Sequence, residues 1–291
     1  MAGFDMHIHS TASDGRLDAQ EIIDLARAKE ELVGIAITDH DTVAGLPHAC
    51  AYAKKLHYPL ITGIELSAEY ENHDVHILGY WIDVEKISAD NRLKQMVQAR
   101  EERCRQMIRR LAALGMPVDV ESVIASAAHT KRSLGRPHVA QAMVEYGYVE
   151  NLREAFGKWL GRGLPAYVPR LKLSPREALD MVAAAGGIAV LAHPGIGVSD
   201  HLIARLARQG LGGIEVYHSE HNKMAERKYL QMARHYRLAA VGGSDFHLPG
   251  PRAIGCRITS LGQLRFLAEQ RERLQARERI TTDGNRTKRG S

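Results

Sequence analysis

Residues 5–15 read DMHIHSTASDG, and one residue separates the two histidines of this segment. Alternate side chains of a β-strand point to the same face, so His7 and His9 lie side by side and can reach one metal ion. Asp14 and Gly15 form a turn signal, which can bring the Asp14 carboxylate back to the same place as an oxygen ligand. The segment therefore predicts part of a metal site at the end of a first strand.

Strands and helices alternate after this segment, and polar residues stand at the ends of the predicted strands. Further apolar, strand-like runs occupy residues 32–38, 59–64, 75–82, 188–192, 214–217 and 238–241. In parallel α/β sheets and barrels, loops converge on a site at this edge. The candidate metal ligands at these positions are His7, His9, Asp14, His40, Glu65, His76, His193, Asp245 and His247.

This set of imidazoles and carboxylates is too large for one ion. We therefore expect two or three divalent cations, with a carboxylate such as Glu65 bridging neighbouring ions. The mixture of nitrogen and oxygen ligands suits manganese, iron or zinc and matches magnesium poorly. Other histidines are interpreted as packed or surface side chains, namely His48, His57, His73, His129, His201 and His235.

The composition is that of an ordinary globular protein. A chain of 291 residues, 45% hydrophobic and 25% charged, can bury a full core as one large domain or one domain with an insertion. Cys50, Cys104 and Cys256 lack CxxC spacing, so we expect reduced thiols and no disulfide framework. Neither a leader pattern nor an apolar run of about 20 residues is visible, so a cytoplasmic location without membrane contact is expected.

The basic balance does not identify a partner. The net charge of +5 and pI of 9.1 would suit an anionic substrate. Much of the excess, however, lies in residues 92–110 and 271–289, where a solvated helix face and a frayed end explain it equally well.

Residues 91–169 lack a convincing strand and predict a helical insertion, or cap. The first helix of this segment is long and charged, and Gly115-Met116-Pro117 ends it. We therefore expect a barrel formed by residues 1–90 and 170–265. Residues 266–291 are expected to form a C-terminal helix and a flexible tail.

Several motifs together carry a family resemblance. The segments DMHIHS (5–10), TDHD (38–41), GIE (63–65), AHP (192–194) and GSDFH (243–247) resemble, in this order, those of the polymerase and histidinol phosphatase (PHP) superfamily. The resemblance extends to about residue 260 and implies an α/β fold, a distorted (β/α)7 barrel, with a trinuclear metal centre. It implies one ion held by His7, His9, Glu65 and Asp245, a second by Glu65, His76 and His193, and a third by Asp14, His40 and His247.

Within that family, the SDG segment at 13–15 and the GRPH segment at 135–138 resemble the branch that hydrolyses small nucleotide phosphates. The resemblance implies a 3',5'-nucleotide bisphosphate as substrate, hydrolysed at its 5'-phosphate. It also implies 5'-to-3' exonuclease action on short single-stranded RNA. The expected cofactor is Mn2+, with Fe2+ or Zn2+ as alternatives, and no obligate protein partner is evident.

A basic group near the start of a cap helix is a candidate for binding the substrate. Cationic side chains and free backbone N–H groups can bind an anion together at such a position. We expect Arg136 and His138 to face the 3'-phosphate, and a solvated basic loop is the alternative interpretation. The group consists of Lys131, Arg132, Ser133, Arg136 and His138.

Two further histidines are candidates for acid–base work. His218 and His221 follow a later strand and are expected to protonate the leaving oxygen or contact the phosphate, with simple packing as the alternative. Asp39 and Asp41 flank His40 and are expected to orient it.

The predicted chemistry is hydrolysis of a phosphoric monoester. Bound cations lower the pKa of a water molecule from 15.7 towards about 7 and neutralise phosphoryl oxygens, so hydroxide can attack in line without a protein nucleophile. One alternative within the same chemistry is a histidinol phosphatase. An alternative of another class is a non-catalytic metal-binding module that supports a partner.

Overall fold

A computed structural model of the chain describes residues 2–129, 134–195, 198–250 and 252–287. Its strands form one sheet in the order β7-β6-β5-β4-β3-β2-β1-β8. The strands are β1 (Gly3–Asp5), β2 (Leu32–Ile37), β3 (Leu60–Tyr70), β4 (His73–Tyr80), β5 (Ile188–Leu191), β6 (Gly213–Tyr217), β7 (Ala239–Gly242) and β8 (Thr259–Ser260).

Helices follow most strands and form the outer layer and the helical segment between β4 and β5. They are α1 (Ala19–Arg27), α2 (Leu46–Lys55), α3 (Val84–Ala89), α4 (Asn91–Ala113), α5 (Val120–His129), α6 (Arg136–Glu145), α7 (Leu152–Ala155), a π-helical turn (Phe156–Leu160), α8 (Pro175–Ala184), α9 (Asp200–Arg208), α10 (Lys223–Tyr236) and α11 (Leu261–Thr287). Two of these helices begin with a capping box, formed by Asp18 and Glu21 on α1 and by Ser174 and Glu177 on α8.

The sheet is mostly parallel, but β4 runs antiparallel to both of its neighbours. A two-residue turn at Glu71 and Asn72, both with positive φ, joins β3 to β4 and sets the register. Because β4 runs in the reverse direction, the start of this strand lies at the edge where the parallel strands end. His76, near the start of β4, is thereby brought to the same edge as Glu65 on β3.

The sheet curls into a nearly closed barrel at its carboxyl edge. The chain beyond β1 pairs with the chain beyond β7 through a bridge between Ile8 and Phe246. The His9 N–H donates to the Phe246 carbonyl at 2.9 Å, and the Phe246 N–H donates to the His7 carbonyl at 3.3 Å. The predicted distorted α/β barrel is therefore present, and the short strand β8, which the sequence did not predict, pairs antiparallel with β1.

Most apolar residues of the helical segment pack into a cluster separate from that of the barrel, although Leu93 and Met96 at the start of α4 belong to the barrel cluster. Buried side chains of the strands pack under helices α1, α2, α8, α9 and α10. Another cluster lies wholly between Cys104 and Val168, with Met107 and Leu111 fully buried in it. The cysteines are free, as expected. Cys104 is buried, whereas Cys50 and Cys256 are only partly covered.

Helix α11 lies against the barrel and is longer than the sequence indicates. Leu267 is buried, while the side chains of Arg271 and Gln275 donate to the Gly186 carbonyl at 2.8 and 2.7 Å. The helix continues to Thr287, so part of the predicted flexible tail is helical and residues 288–291 lie outside the described residues. None of the described helices is both long enough and apolar enough to cross a membrane.

Candidate metal centre

The two histidines of the first segment lie together at the carboxyl edge of the barrel. His7 and His9 are fully buried, and their Nε2 atoms are 3.0 Å apart. The other ring nitrogen of His7, Nδ1, lies 3.0 Å from Oε1 of Glu215. Both Nε2 atoms therefore face the same point in space, as the alternating geometry of a strand predicts.

Glu65 stands at the middle of the site. Its Oε2 lies 3.0 Å from His40 Nδ1, and its Oε1 lies 2.8 Å from His76 Nδ1. Further ring nitrogens at 3.2–3.3 Å from this carboxylate belong to His7, His9 and His193. A carboxylate with imidazoles on both oxygens has the arrangement that a bridging ligand requires.

A second carboxylate, Asp14, lies at the outer side of the site and is half exposed. Its oxygens are 3.3 Å from His247 Nε2, 3.7 Å from His9 Nδ1 and 3.8 Å from His40 Nε2. The tight turn at Gly15 makes this approach possible, because a Cβ there would lie 2.1 Å from the His9 carbonyl oxygen.

Asp245 completes the site from the end of β7. Its Oδ1 is 3.2 Å from His9 Nε2 and 3.4 Å from His7 Nε2. Arg252 donates to the other oxygen at 2.8 Å and so restrains the carboxylate. The backbone is left-handed at Asp245 (φ 54°) and at Asp41 (φ 47°), and such strained positions cluster at functional sites.

Candidate ligand atoms within 4.8 Å of one another form several groups in the described residues. These groups are His9, Asp14, His40 and His247; His7, His218 and Asp245; His7, Glu65 and His193; and His40, Glu65 and His76. The structure thus brings together every histidine and carboxylate that the sequence proposes as a ligand.

The chemistry of these donors fits divalent cations. His9 Nδ1, His40 Nδ1, His76 Nδ1 and Glu65 Oε2 are buried without a hydrogen-bond partner, although other site atoms lie within contact distance. Ligands at about 2.1 Å from a four- to six-coordinate ion lie roughly 3.0–3.4 Å from one another. Buried polar atoms at such spacings, without hydrogen bonds, are those that a metal would satisfy.

The charges of the site are strongly coupled. Burial alone would lower the pKa of His7, but the carboxylates of Glu215, Glu65 and Asp245 hold it well above its usual range. Burial lowers the pKa of His40 to about 3, even though Glu65 lies beside it. Burial would likewise raise the pKa of Glu65, but the surrounding imidazoles hold it well below its usual range.

Comparison with known proteins agrees with this geometry. A family model described as the PHP domain matches residues 5–162. The chain belongs to the PHP domain family. A 3',5'-nucleoside bisphosphate phosphatase from Chromobacterium violaceum is 36% identical over 255 residues, which cover 86% of this chain and 89% of that protein.

Two further relatives agree with this family. The 5'-3' exoribonuclease Rnm from Salmonella typhimurium is 35% identical over 256 residues, covering 85% of this chain and 86% of that protein. A solved structure described as a metal-dependent phosphoesterase from Bifidobacterium adolescentis has a TM-score of 0.81 at 30% identity, covering 92% of this chain and 96% of that one. The predicted family, the barrel fold and the enzyme class, a metal-dependent phosphoesterase, are thereby confirmed.

Two aspartates of this PHP domain restrain loops, whereas the sequence suggested that they orient His40. Asp39 accepts the Ser10 N–H at 2.8 Å, the Ser10 hydroxyl at 2.6 Å and the Ser13 hydroxyl at 2.5 Å. It therefore fixes the loop that carries Asp14. Asp41 accepts the N–H and the hydroxyl of Ser67, at 2.6 and 3.0 Å. Neither contact involves the imidazole of His40, because its ring nitrogens face Glu65 and Asp14.

The two histidines proposed for acid–base work have different surroundings. Both ring nitrogens of His221 meet backbone groups, because Nδ1 lies 2.9 Å from the Val216 carbonyl and Nε2 accepts the Gly195 N–H at 3.1 Å. His218 is buried, and its Nε2 lies 3.5 Å from Asp245 Oδ2 without a hydrogen bond. The geometry favours packing for His221, while His218 faces the candidate ligands.

The basic group of the PHP domain's helical segment is only partly described. Lys131, Arg132 and Ser133 lie outside the described residues. The guanidinium carbon of Arg136 lies 5.7 Å from the ring centre of Phe156, and Arg136 also donates to the Leu160 carbonyl at 3.4 Å. His138 Nδ1 accepts the Gly135 N–H at 3.3 Å.

Sequence reasoning missed residues that contact the candidate ligands or the loops that carry them, and one arginine next to these, Arg103. They are Glu215, Arg100, Arg103, Arg170 and Arg252. Only Glu215 carries a sequence signal, because it is a lone acidic residue inside the apolar run of strand β6. The arginines stand among many other charged residues, so their spacing does not distinguish them.

Proposed function

We propose that this PHP domain hydrolyses the 5'-phosphate of 3',5'-nucleotide bisphosphates, releasing the nucleoside 3'-phosphate, and that it also removes nucleotides from the 5' end of short RNA. One observation carries the proposal: the groups of metal ligands lie beside a cluster of arginines. A substrate with one phosphate at the metals would then have a cationic site for its second phosphate. The names of the relatives, a nucleoside bisphosphate phosphatase and an exoribonuclease, agree with such a substrate. They do not favour histidinol phosphate.

The arginine cluster consists of Arg100, Arg103, Arg136 and Arg170, and two of its members contact the loop of a candidate ligand. Arg100 and Arg170 donate to Asp41 Oδ2 at 2.7 and 2.5 Å. Arg100 also donates to the carbonyl of His40, a candidate ligand, at 2.8 Å. Arg100 and Arg170 therefore contact the loop that carries His40.

The positive charge of this cluster is only partly neutralised. Arg103 and Arg136 donate to backbone carbonyls, and neither forms an ion pair within the described parts of the chain. Burial lowers the pKa of Arg103 to about 10, and the charges of Arg136 and Arg170 act in the same direction. A phosphate placed here would relieve this repulsion and accept charge-assisted hydrogen bonds.

We further propose that residues 91–169 form a cap that carries this second phosphate site. Arg100 and Arg103 lie on α4, Arg136 begins α6, and Arg170 follows the segment on its return to the barrel. The cap would close the substrate between the arginine cluster and the metals. Binding of the 3'-phosphate by the arginines would position the 5'-phosphate, which is the group that reacts.

The metal centre is proposed to hold two or three Mn2+ ions, for which Fe2+ or Zn2+ can substitute. Ions bound there would lower the pKa of a water molecule and neutralise phosphoryl oxygens. The chain contributes the donors and the groups that fix them. Asp39 holds the loop of Asp14, and Arg252 holds the carboxylate of Asp245.

The second phosphate site is tested by Arg136→Ala. Loss of a charge-assisted contact should lower kcat/KM for adenosine 3',5'-bisphosphate by roughly 10- to 100-fold, mostly through KM, and leave adenosine 5'-monophosphate little affected. Arg109→Ala is the matched control, because Arg109 is an exposed arginine of the same segment. Equal losses on both substrates would contradict the assignment.

A substrate screen with Mn2+ distinguishes the proposed enzyme from the two alternatives, a histidinol phosphatase and a non-catalytic metal-binding module. Adenosine 3',5'-bisphosphate, short 5'-phosphorylated RNA and histidinol phosphate should be compared, and we expect histidinol phosphate to be the poorest. His193→Ala should abolish turnover of every substrate and reduce metal content. Full metal occupancy without any phosphate release would favour the non-catalytic module.

A further inference from the structure

Glu215 is a buried carboxylate that no part of the proposed chemistry uses. It lies on β6 with Ile214 and Val216 as neighbours and is completely inaccessible to solvent. It belongs to none of the groups of candidate ligands among the described residues. Burying a charged carboxylate is costly unless it is paired and hydrogen-bonded, so its partners indicate its role.

Both oxygens of Glu215 meet candidate metal ligands. Oε1 lies 3.0 Å from Nδ1 of His7, and Oε2 accepts the backbone N–H of His193 at 2.8 Å. His7 and His193 stand 186 residues apart in the sequence, and the family resemblance implies that they hold different ions. One side chain thus connects two parts of the metal centre.

The contact with His7 determines which ring nitrogen can bind a metal. A carboxylate only accepts hydrogen bonds, so its contact with Nδ1 requires the proton on that nitrogen. In the neutral ring that can bind a metal, Nε2 is then left with its lone pair, and it is Nε2 that faces His9, Glu65 and Asp245. Such carboxylate–histidine pairs fix the tautomer and the ring orientation of metal ligands.

The contact with His193 holds a strained piece of backbone. His193 has a φ of 21°, outside the regions that residues with a Cβ prefer. In this conformation its Nε2 lies 3.2 Å from Oε1 of Glu65. The N–H bond to Glu215 therefore stabilises the conformation that points the ring of His193 into the site.

We propose that Glu215 is a positioning residue of the metal centre, which sets the tautomer of His7 and the backbone of His193 at the same time. The proposal rests on the ligand roles proposed above for these two histidines. A glutamine at this position keeps the size but has one acceptor oxygen for two donors. Its amide group would face either the Nδ1–H of His7 or the N–H of His193, and one bond would become a repulsion.

The test is the Mn2+ affinity of Glu215→Gln, measured by competition with a chelating dye. We expect the affinity to fall between about 10- and 100-fold, the usual effect of removing such a partner. Unfolding of the metal-free variant in urea is followed in parallel to show that it folds. Glu121→Gln, an exposed glutamate of the helical segment, is the matched control and should retain wild-type affinity.

A second measurement uses the unsubstituted protein. The protein is labelled with 15N, loaded with diamagnetic Zn2+ and examined by NMR, and we expect the His7 ring to be protonated at Nδ1. The His7 signal is identified by its absence from the spectrum of His7→Gln. Protonation at Nε2 would overturn the proposal. So would wild-type metal affinity in Glu215→Gln, or a loss of metal-free stability alone.

Failure of this inference is distinguishable from failure of the ligand assignment. His7→Gln and His193→Gln should both lower the Mn2+ affinity if they are ligands. If they do so while Glu215→Gln does not, only the role of Glu215 is wrong. If all of them retain wild-type affinity, the proposed ligand roles fail, and the positioning role fails with them.

Discussion

At the residue scale, Asp41 joins the metal-site loop to the helical segment. Its buried carboxylate accepts hydrogen bonds from Arg100, Arg170 and Ser67. Removing one partner of a buried ion pair typically lowers the free energy of unfolding by about 3–5 kcal/mol, because the remaining charge is buried without compensation. We expect Asp41→Asn to lower the free energy of unfolding of the metal-free protein by about this amount, measured with urea. Asp180→Asn, which removes an exposed pair with Arg176, should cost less than about 1 kcal/mol.

The same carboxylate predicts a pH dependence. Burial alone would raise the pKa of Asp41, but the guanidinium groups of Arg170 and Arg100 hold it below its usual range. A carboxylate with a lowered pKa stabilises the fold fully above its unfolded pKa of about 3.9 and loses this effect as the pH falls through its folded value. The stability difference between the wild type and Asp41→Asn should therefore be constant from pH 6 to 8 and shrink below about pH 4. A difference as large at pH 3 as at pH 7 would contradict this account.

Individual ligands were predictable because their signals are local. The alternation of His7 and His9 and the position of His193 directly after an apolar run can be seen in a short window of sequence. The partner of His7 could not be predicted in this way. Glu215 stands 208 residues away, and only the pairing of the strands brings it to the imidazole. A metal donor can therefore be predicted from local sequence, whereas the residue that orients it depends on the pairing of strands that are distant in the sequence.

At the scale of elements, the direction of β4 was the missing information. An apolar run predicts a strand but not whether it pairs parallel or antiparallel, and His76 near its start would lie at the wrong edge of a parallel sheet. The hairpin turn at Glu71 and Asn72 resolves this, because it reverses the strand beside β3. The packing of helix α11 against the barrel was likewise not predictable, because its contacts with Gly186 are tertiary and leave no local sequence pattern.

The separate core of the helical segment leads to a prediction at this scale. Met107 is fully buried there, and truncation of such a side chain to alanine costs about 2–5 kcal/mol. The metal donors come from the barrel and its loops, so metal content should not change. We therefore expect Met107→Ala to lower the free energy of unfolding and to raise KM for a bisphosphate while the bound metal, measured by elemental analysis, stays at the wild-type level.

Val97→Ala is the matched control for this experiment. Val97 is also an apolar residue of α4, but it is half exposed. Its truncation should change stability by no more than about 0.5 kcal/mol and leave KM unaffected. Loss of metal in Met107→Ala would show that the helical segment supports the donors directly, contrary to the division proposed here.

At the scale of the whole molecule, the metal centre and barrel closure occupy the same edge. Candidate ligands flank both residues of the bridge between Ile8 and Phe246. His7 and His9 stand on either side of Ile8, and Asp245 and His247 on either side of Phe246. Ions held by these residues would tie the first strand to the last parallel one. Metal binding should therefore stabilise the whole barrel, because the unfolded chain cannot present this arrangement.

Metal-linked stability follows from mass action. A ligand at one hundred times its Kd, bound only to the folded state, adds about 2.7 kcal/mol of stability, which corresponds to a rise in Tm of roughly 5–10 °C for a protein of this size. We expect Mn2+ to produce such a rise in chelator-treated protein, measured by calorimetry. Mg2+ at the same concentration should do much less, because a set rich in imidazoles matches it poorly. His193→Gln should show a smaller Mn2+-dependent rise than the wild type. An equal Tm with Mn2+ and with chelator, or an equal response to Mg2+, would contradict a metal centre that joins the two ends of the barrel.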